Sequence, residues 1–279
     1  MFSMTAEPTN PPARLQRAQG VGRIVVADRE GRTMLRTLYQ EGCSKIRLPN
    51  THSPAIEAVL INTAGGLTGG DNLRWQAEAA AGARLVLTTQ ACERIYRTTG
   101  PAARVETHLC AGPGAHIDWL PQETILFEDS YLDRSMKIDV EDGATFTGIE
   151  AVLLGRDAMG EEARYARFAD NWRIRRNGRL IHAEATRLTG EPRFERDAIS
   201  LLAGARAFAS LVHIGPDAER HLAAIRPRIA DDPRVAASAE GERLVIRAMA
   251  QSGLALRRLI VPIVADLSGA GSLPRLWHS

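Results

Sequence analysis

Cysteine is scarce: 3 in 279 residues, at Cys43, Cys92 and Cys110, with no CxxC pair. That excludes a disulfide framework and a four-thiolate zinc site. Residues 1–12 hold no apolar run of leader length, so free thiols in a reducing cytoplasm are the expectation. Aromatics make up 5% of the chain and the formal net charge is only +2. Base-stacking platforms and a strong basic footprint for nucleic acid or anionic membrane are both missing. No stretch approaches the length of a membrane-spanning helix; the most apolar run, 259–265, is interrupted by Pro262. None of the 7 histidines stands in a HExxH or HxH arrangement.

What the chain does have is glycine in pairs. Asn62-Thr63-Ala64-Gly65-Gly66-Leu67-Thr68-Gly69-Gly70-Asp71 lies between an apolar strand pattern, Ala58-Val59-Leu60-Ile61, and an alternating one, Leu73 to Glu78. Gly65 and Gly70 have the glycine spacing of a phosphate-binding loop, but Asp71 and Asn72 stand where Lys and Ser/Thr belong. A carboxylate there repels phosphate, so a structural glycine turn is the better reading.

A second pattern repeats. Ala81-Gly82-Ala83, Pro113-Gly114-Ala115 and Asp142-Gly143-Ala144 each lead into a strand and each follow an alternating segment. The glycines lie about 30 residues apart, the scale of structural repeats. Two architectures fit: a stacked, solenoid-like β architecture in which each repeat buries its face on the next, or an ordinary β-sandwich with similar hairpins. The segments 88–97 and 121–129 between the repeats read as surface loops. Asn177-Gly178 reads as a type I′ hairpin turn. Helices are expected late: one from Pro216 that stops before Pro227, and one from 253 to 267, capped by Ser252 and kinked at Pro262. Residues 1–12 read as a flexible N-terminal tail, and Trp277 as docking on the body. No composition shift marks a second domain.

Candidate chemistry is thin. Cys92 follows Gln90-Ala91 as in one class of cysteine nucleophile, but the anion Glu93 beside it opposes thiolate formation. His108 and His116 flank a turn and are placed to face each other across a hairpin. Asp118 and Glu123 bracket Trp119-Leu120-Pro121-Gln122; two carboxylates at a fixed separation in a cleft would suit glycoside hydrolysis.

Taken in order, the glycine stretch, Thr88-Thr89-Gln90-Ala91, Trp119-Leu120-Pro121-Gln122-Glu123-Thr124-Ile125, Leu154-Gly155-Arg156 with Met159-Gly160-Glu161, and Leu273-Pro274-Arg275-Leu276-Trp277 resemble the UreD (UreH) urease accessory protein family across almost the whole chain. The resemblance implies a single UreD-like domain over 13–279, mainly β, with about two helices in the C-terminal third. It implies a metallochaperone scaffold rather than an enzyme, which binds UreF, reaches the GTPase UreG through UreF and docks on the urease apoprotein. The expected role is support of GTP-dependent nickel insertion, with no tightly bound cofactor and nickel at most in transit. Asp71, Asp118 and Glu123, in or beside the motifs, are the candidates for a transient nickel path; Gly65, Gly66, Gly69 and Gly70 are the structural motif. Carboxylates hold nickel less tightly than imidazole or thiolate sets, so the ion can leave again. The alternatives are a pure protein–protein scaffold with no ion path and, more remotely, a β-helical hydrolase using Asp118 and Glu123.

Overall fold

The computed structural model describes residues 16–51, 53–156, 159–191, 197–269 and 273–278. The tail expected over 1–12 lies outside them. In chain order the strands are β1 (Gln19–Arg29), β2 (Arg32–Gly42), β3 (Ser44–Arg47), β4 (Ile56–Asn62), β5 (Asn72–Ala79), β6 (Arg84–Thr89), β7 (Glu93–Ile95), β8 (Ala103–Ala111), β9 (His116–Leu120) and β10 (Thr124–Leu126). They continue as β11 (Tyr131–Val140), β12 (Thr145–Leu154), β13 (Arg167–Arg176), β14 (Arg179–Leu188) and β15 (Ala207–Ile214). Then come helix α1 (Ala218–Ile229), β16 (Val235–Glu240), β17 (Arg243–Ala250) and helix α2 (Gly253–Leu267).

The repeat is real and the arrangement is stacked. β5, β8, β11 and β13 pair in parallel in one sheet, while β4, β6, β9 and β12 pair in parallel in the other. Each coil gives one strand to each sheet, then climbs. Arg84, His116 and Thr145 stand in register, as do Ala77, Leu109, Ile138 and Ile174. Alternation aims the second set inward, where Ile24, Leu85, Leu87, Ile117, Phe146 and Trp172 fill the space between the sheets. Burying each such side chain stabilises by about 1.5–3 kcal/mol. Antiparallel strands close both ends: β2 and β14 flank the first sheet, and β3 and the series β15, β17, β16 flank the second.

The two sides of each coil differ. On one side the chain turns tightly at the Gly-Ala units. Gly82 N–H donates to Pro113 O and Gly114 N–H to Asp142 O, both at 2.9 Å, so each turn hangs on the next. Gly114 has φ +63. On the other side the crossovers are long. The segments expected as loops hold β7 and β10, because Leu67, Ile95, Leu126 and Leu154 pair coil to coil and are all buried. Their apolar side chains mark a third short ladder, hidden in the sequence among charged neighbours.

The Asn177-Gly178 turn joins β13 and β14 as expected. Ser252 Oγ accepts from Ala255 N–H at 3.2 Å and starts α2 where expected. The first helix does not stop before Pro227; it runs through it to Ile229. Pro227 costs the helix the i→i−4 bond to Ala223 O, but only the final residues follow it, and buried Leu222 and Ile225 hold the helix down. Both helices cover the outer face of the second sheet, over a core that includes Leu120, Ile149, Leu244, Leu256 and Val264.

A Cβ at Gly114 meets nothing within 4 Å, so only the left-handed backbone resists substitution there. Gly114→Ala is expected to cost about 1–2 kcal/mol and to lower the melting temperature by roughly 2–4 °C per kcal/mol, read by calorimetry.

Candidate functional site

The motif segments, scattered through the sequence, stack on the crossover side. The glycine stretch carries the chain from β4 to β5. Leu67 N–H donates to Arg94 O at 2.8 Å, and Gly70 N–H to Ala102 O at 3.1 Å. A Cβ at Gly69 would stand 2.0 Å from Thr98 Oγ1 and 2.4 Å from Pro101 O, so the next coil passes too close for any side chain. Asn62 Nδ2 donates to Glu93 Oε1 at 3.1 Å, Cys92 Sγ to Glu123 Oε2 at 3.4 Å, and Arg257 Nη1 to Glu123 Oε1 at 2.9 Å. Arg257 Nη2 reaches Trp277 O, and Trp277 Nε1 donates to Leu120 O, both at 3.0 Å. The C-terminal motif is thereby clasped onto the Trp119–Glu123 motif. Tyr96, stacked edge-on against Phe127 with centroids 5.1 Å apart, donates to Gly65 O; Arg156 lies over Phe127 and pairs with Glu161.

The three candidate carboxylates sit apart in this arrangement. Asp71 is buried, and its two oxygens accept from Ala18 N–H at 2.8 Å and Thr68 N–H at 2.7 Å. Asp118 is fully buried; His116 Nε2 lies 2.8 Å from Oδ1, and Ser268 Oγ donates to Oδ2 at 2.8 Å. Glu123 is ion-paired to Arg257. The partners of Asp118 and Glu123, Ser268 and Arg257, are 11 residues apart (268 − 257), about 16 Å along helix α2. The two carboxylates are held toward opposite ends of that helix. His108 and His116 do not meet either: His108 is exposed and pairs with Asp139, while His116 is buried between Thr145 and Asp118. Burial and the Glu123 carboxylate push the Cys92 thiol up to about 11, so it is not poised as a thiolate.

The family model for the UreD urease accessory protein matches residues 18–278. The chain belongs to the UreD family. It is 64% identical to the urease accessory protein UreD of Chelativorans sp. (strain BNC1), over 98% of both chains. It is 48% identical to the UreD of Agrobacterium fabrum (strain C58 / ATCC 33970), over 98% of this chain and 95% of the relative. It is 46% identical to that of Rhizobium rhizogenes (strain K84 / ATCC BAA-868), over 95% and 97%. Membership of the UreD family implies a role in urease maturation. No helix among the described residues is long and apolar enough to cross a membrane.

Three groups in this UreD chain escaped the sequence reading. Between the sheets, Arg134 pairs with Glu150 and bidentately with Asp170, while Trp119 and Trp172 donate their indole N–H groups to the same carboxylates. Charged residues on an alternating strand read as surface, and only the register shows them facing inward. Two clusters of metal-ligating side chains form as well: His108, Cys110 and Asp139 on adjacent strands, and His213, Asp217 and His221 between β15 and α1. Neither includes Asp71, Asp118 or Glu123. The second cluster had a signal in its spacing of four residues, but it spans a strand, a turn and a helix.

Burial pushes Glu93 up to about 7, against the opposing hydrogen bond from Asn62. Its folded value lies above the ordinary one near 4.5, so its stabilisation is full below that range and is lost as pH rises through about 7. Glu93→Gln is expected to match the unsubstituted chain in urea unfolding near pH 5 and to exceed it near pH 8. Equal midpoints near pH 8 would contradict this assignment.

Proposed function

We propose that this UreD family member is the scaffold of a urease maturation complex. It binds UreF, holds the GTPase UreG through UreF and docks on the urease apoprotein, so that GTP hydrolysis by the partner is coupled to nickel insertion. The observation that carries this reading is the family match over residues 18–278, on a fold whose motif residues hold one another. On this reading the chain is a cytoplasmic chaperone without catalysis of its own. Met34, Leu35, Leu38 and Tyr39, exposed along the edge strand β2, supply apolar area of the kind that docking uses. Purified full chain mixed with UreF is expected to co-elute as a complex in gel filtration. Separate elution under gentle, low-salt conditions counts against the scaffold.

Nickel in transit along Asp71, Asp118 and Glu123 is the finer part of the proposal. Support for an ion-tolerant path is best at Asp118, which lies beside an imidazole and a hydroxyl within the body. A pure docking scaffold with no path is the second reading, favoured at Asp71 by its two backbone N–H partners, since a carboxylate so used fixes a loop. Substituting Asp71→Asn together with Glu123→Gln, with complex assembly intact, is expected to lower the nickel content of purified urease. Unchanged nickel removes both residues from the path.

A further inference from the structure

The cluster beside helix α1 is built differently from the motif edge. Thr147 Oγ1 contacts the Leu267 carbonyl at 3.1 Å and His213 Nδ1 at 2.9 Å. A hydroxyl has one hydrogen, and a carbonyl only accepts, so Thr147 donates to Leu267 O and accepts from His213. The ring hydrogen of His213 is thereby placed on Nδ1. The neutral ring then aims its Nε2 lone pair at Asp217 Oδ1, 2.9 Å away. Two acceptors at that distance need a positive charge between them, which a proton on Nε2 supplies and a metal ion can replace. His221 Nε2 meets the other oxygen, Oδ2, at 2.9 Å.

Three further features converge. Asp217 occupies the N-cap position of α1, yet its carboxylate accepts no capping hydrogen bond and is turned to the two imidazoles instead. The facing residue is Gly215, where a Cβ would stand 2.7 Å from His213 Nε2 and 2.8 Å from Asp217 Oδ1; the space beside both ligand atoms exists because that side chain is missing. Finally, the cluster is buried at His213 and half-buried at Asp217 and His221, which leaves one side open to solvent.

We propose that His213, Asp217 and His221 form a binding site for a divalent first-row transition ion of the nickel or zinc class. The three ligand atoms lie within 4.8 Å of one another; metal–ligand bonds near 2.1 Å set separations of about 3–4 Å, so the two 2.9 Å imidazole–carboxylate contacts open slightly as the ion enters. Two imidazoles and one carboxylate suit such ions better than calcium or magnesium. Thr147 is the positioning residue: it fixes the tautomer and ring orientation of His213, as outer partners of ligating histidines do. Arg220, which also rests on Asp217 Oδ2 at 2.8 Å, is exposed and free to swing away as the ion enters. The site stands apart from the scaffold reading and from the carboxylate path, so failure of either leaves it unaffected.

The test is equilibrium dialysis of the purified full chain against nickel chloride, with cobalt chloride as a spectroscopic probe. One equivalent of nickel is expected to be lost, or weakened by more than about 10-fold, in both His221→Gln and Gly215→Ala. Thr147→Val is expected to weaken it by roughly 10- to 100-fold. His108→Ala and Cys110→Ser are expected to retain that equivalent, and its cobalt spectrum to lack a thiolate-to-metal band. Far-UV circular dichroism and melting check each variant, and His221→Gln, on the partly exposed helix, decides the question if a buried variant fails to fold. Nickel uptake by His221→Gln and Gly215→Ala equal to that of the unsubstituted chain overturns the site. So does a chain that binds no nickel, or one whose bound metal is all lost in Cys110→Ser.

Discussion

Parallel pairing between successive coils is the constraint from which the rest of this structure follows. A parallel neighbour cannot be reached by a tight turn alone; the chain has to cross to the other sheet and return. From β5 to β13 it does so once every 29 to 36 residues, the limits being Ala103 pairing with Leu132 and Tyr131 pairing with Arg167. Each crossing must satisfy its own backbone groups. On one side this is done by Gly-Ala turns bonded coil to coil, and on the other by the Leu67–Ile95–Leu126–Leu154 ladder. The family motifs are the residues that make the long crossings possible. The Gly69 backbone approaches Thr98 and Pro101, Asn62 meets Glu93, and Arg257 ties Glu123 to the C-terminal segment.

Much of this is legible in the sequence. The Gly-Ala spacing gave the period, the alternation gave the strands, and Asn177-Gly178 and Ser252 placed a hairpin and a helix start. The period alone did not distinguish a stack from a sandwich, because both need a strand–turn–strand unit; the difference is whether like strands run parallel, and that is a long-range fact. The short strands β7 and β10 were lost for the same reason: three residues carry no periodicity. The Arg134–Glu150–Asp170 group was invisible because charge on an alternating strand normally marks the wet face. Register and a second sheet are needed to see that this face is dry.

The candidate site was legible in part only. Asp71, Asp118 and Glu123 were named from their motifs, and all three are buried and hydrogen-bonded, but each has its own partners. The imidazole-bearing cluster at His213 and His221 lies outside every motif. Its geometry depends on Thr147 and Leu267, which are 66 and 54 residues from His213 (213 − 147 and 267 − 213). Spacing along the chain says nothing about which nitrogen of a ring carries hydrogen; the neighbours decide it.

Both sheets end in antiparallel strands, β2 and β14 in one, β3 and β16 in the other. A further coil, whether from this chain or from another copy, would need two parallel-ready rims at once, and neither end of the stack offers them. Growth of the column is therefore arrested at both termini. A repeat architecture that would otherwise be prone to elongating into fibres is sealed by its own hairpins, so the column cannot lengthen by adding coils.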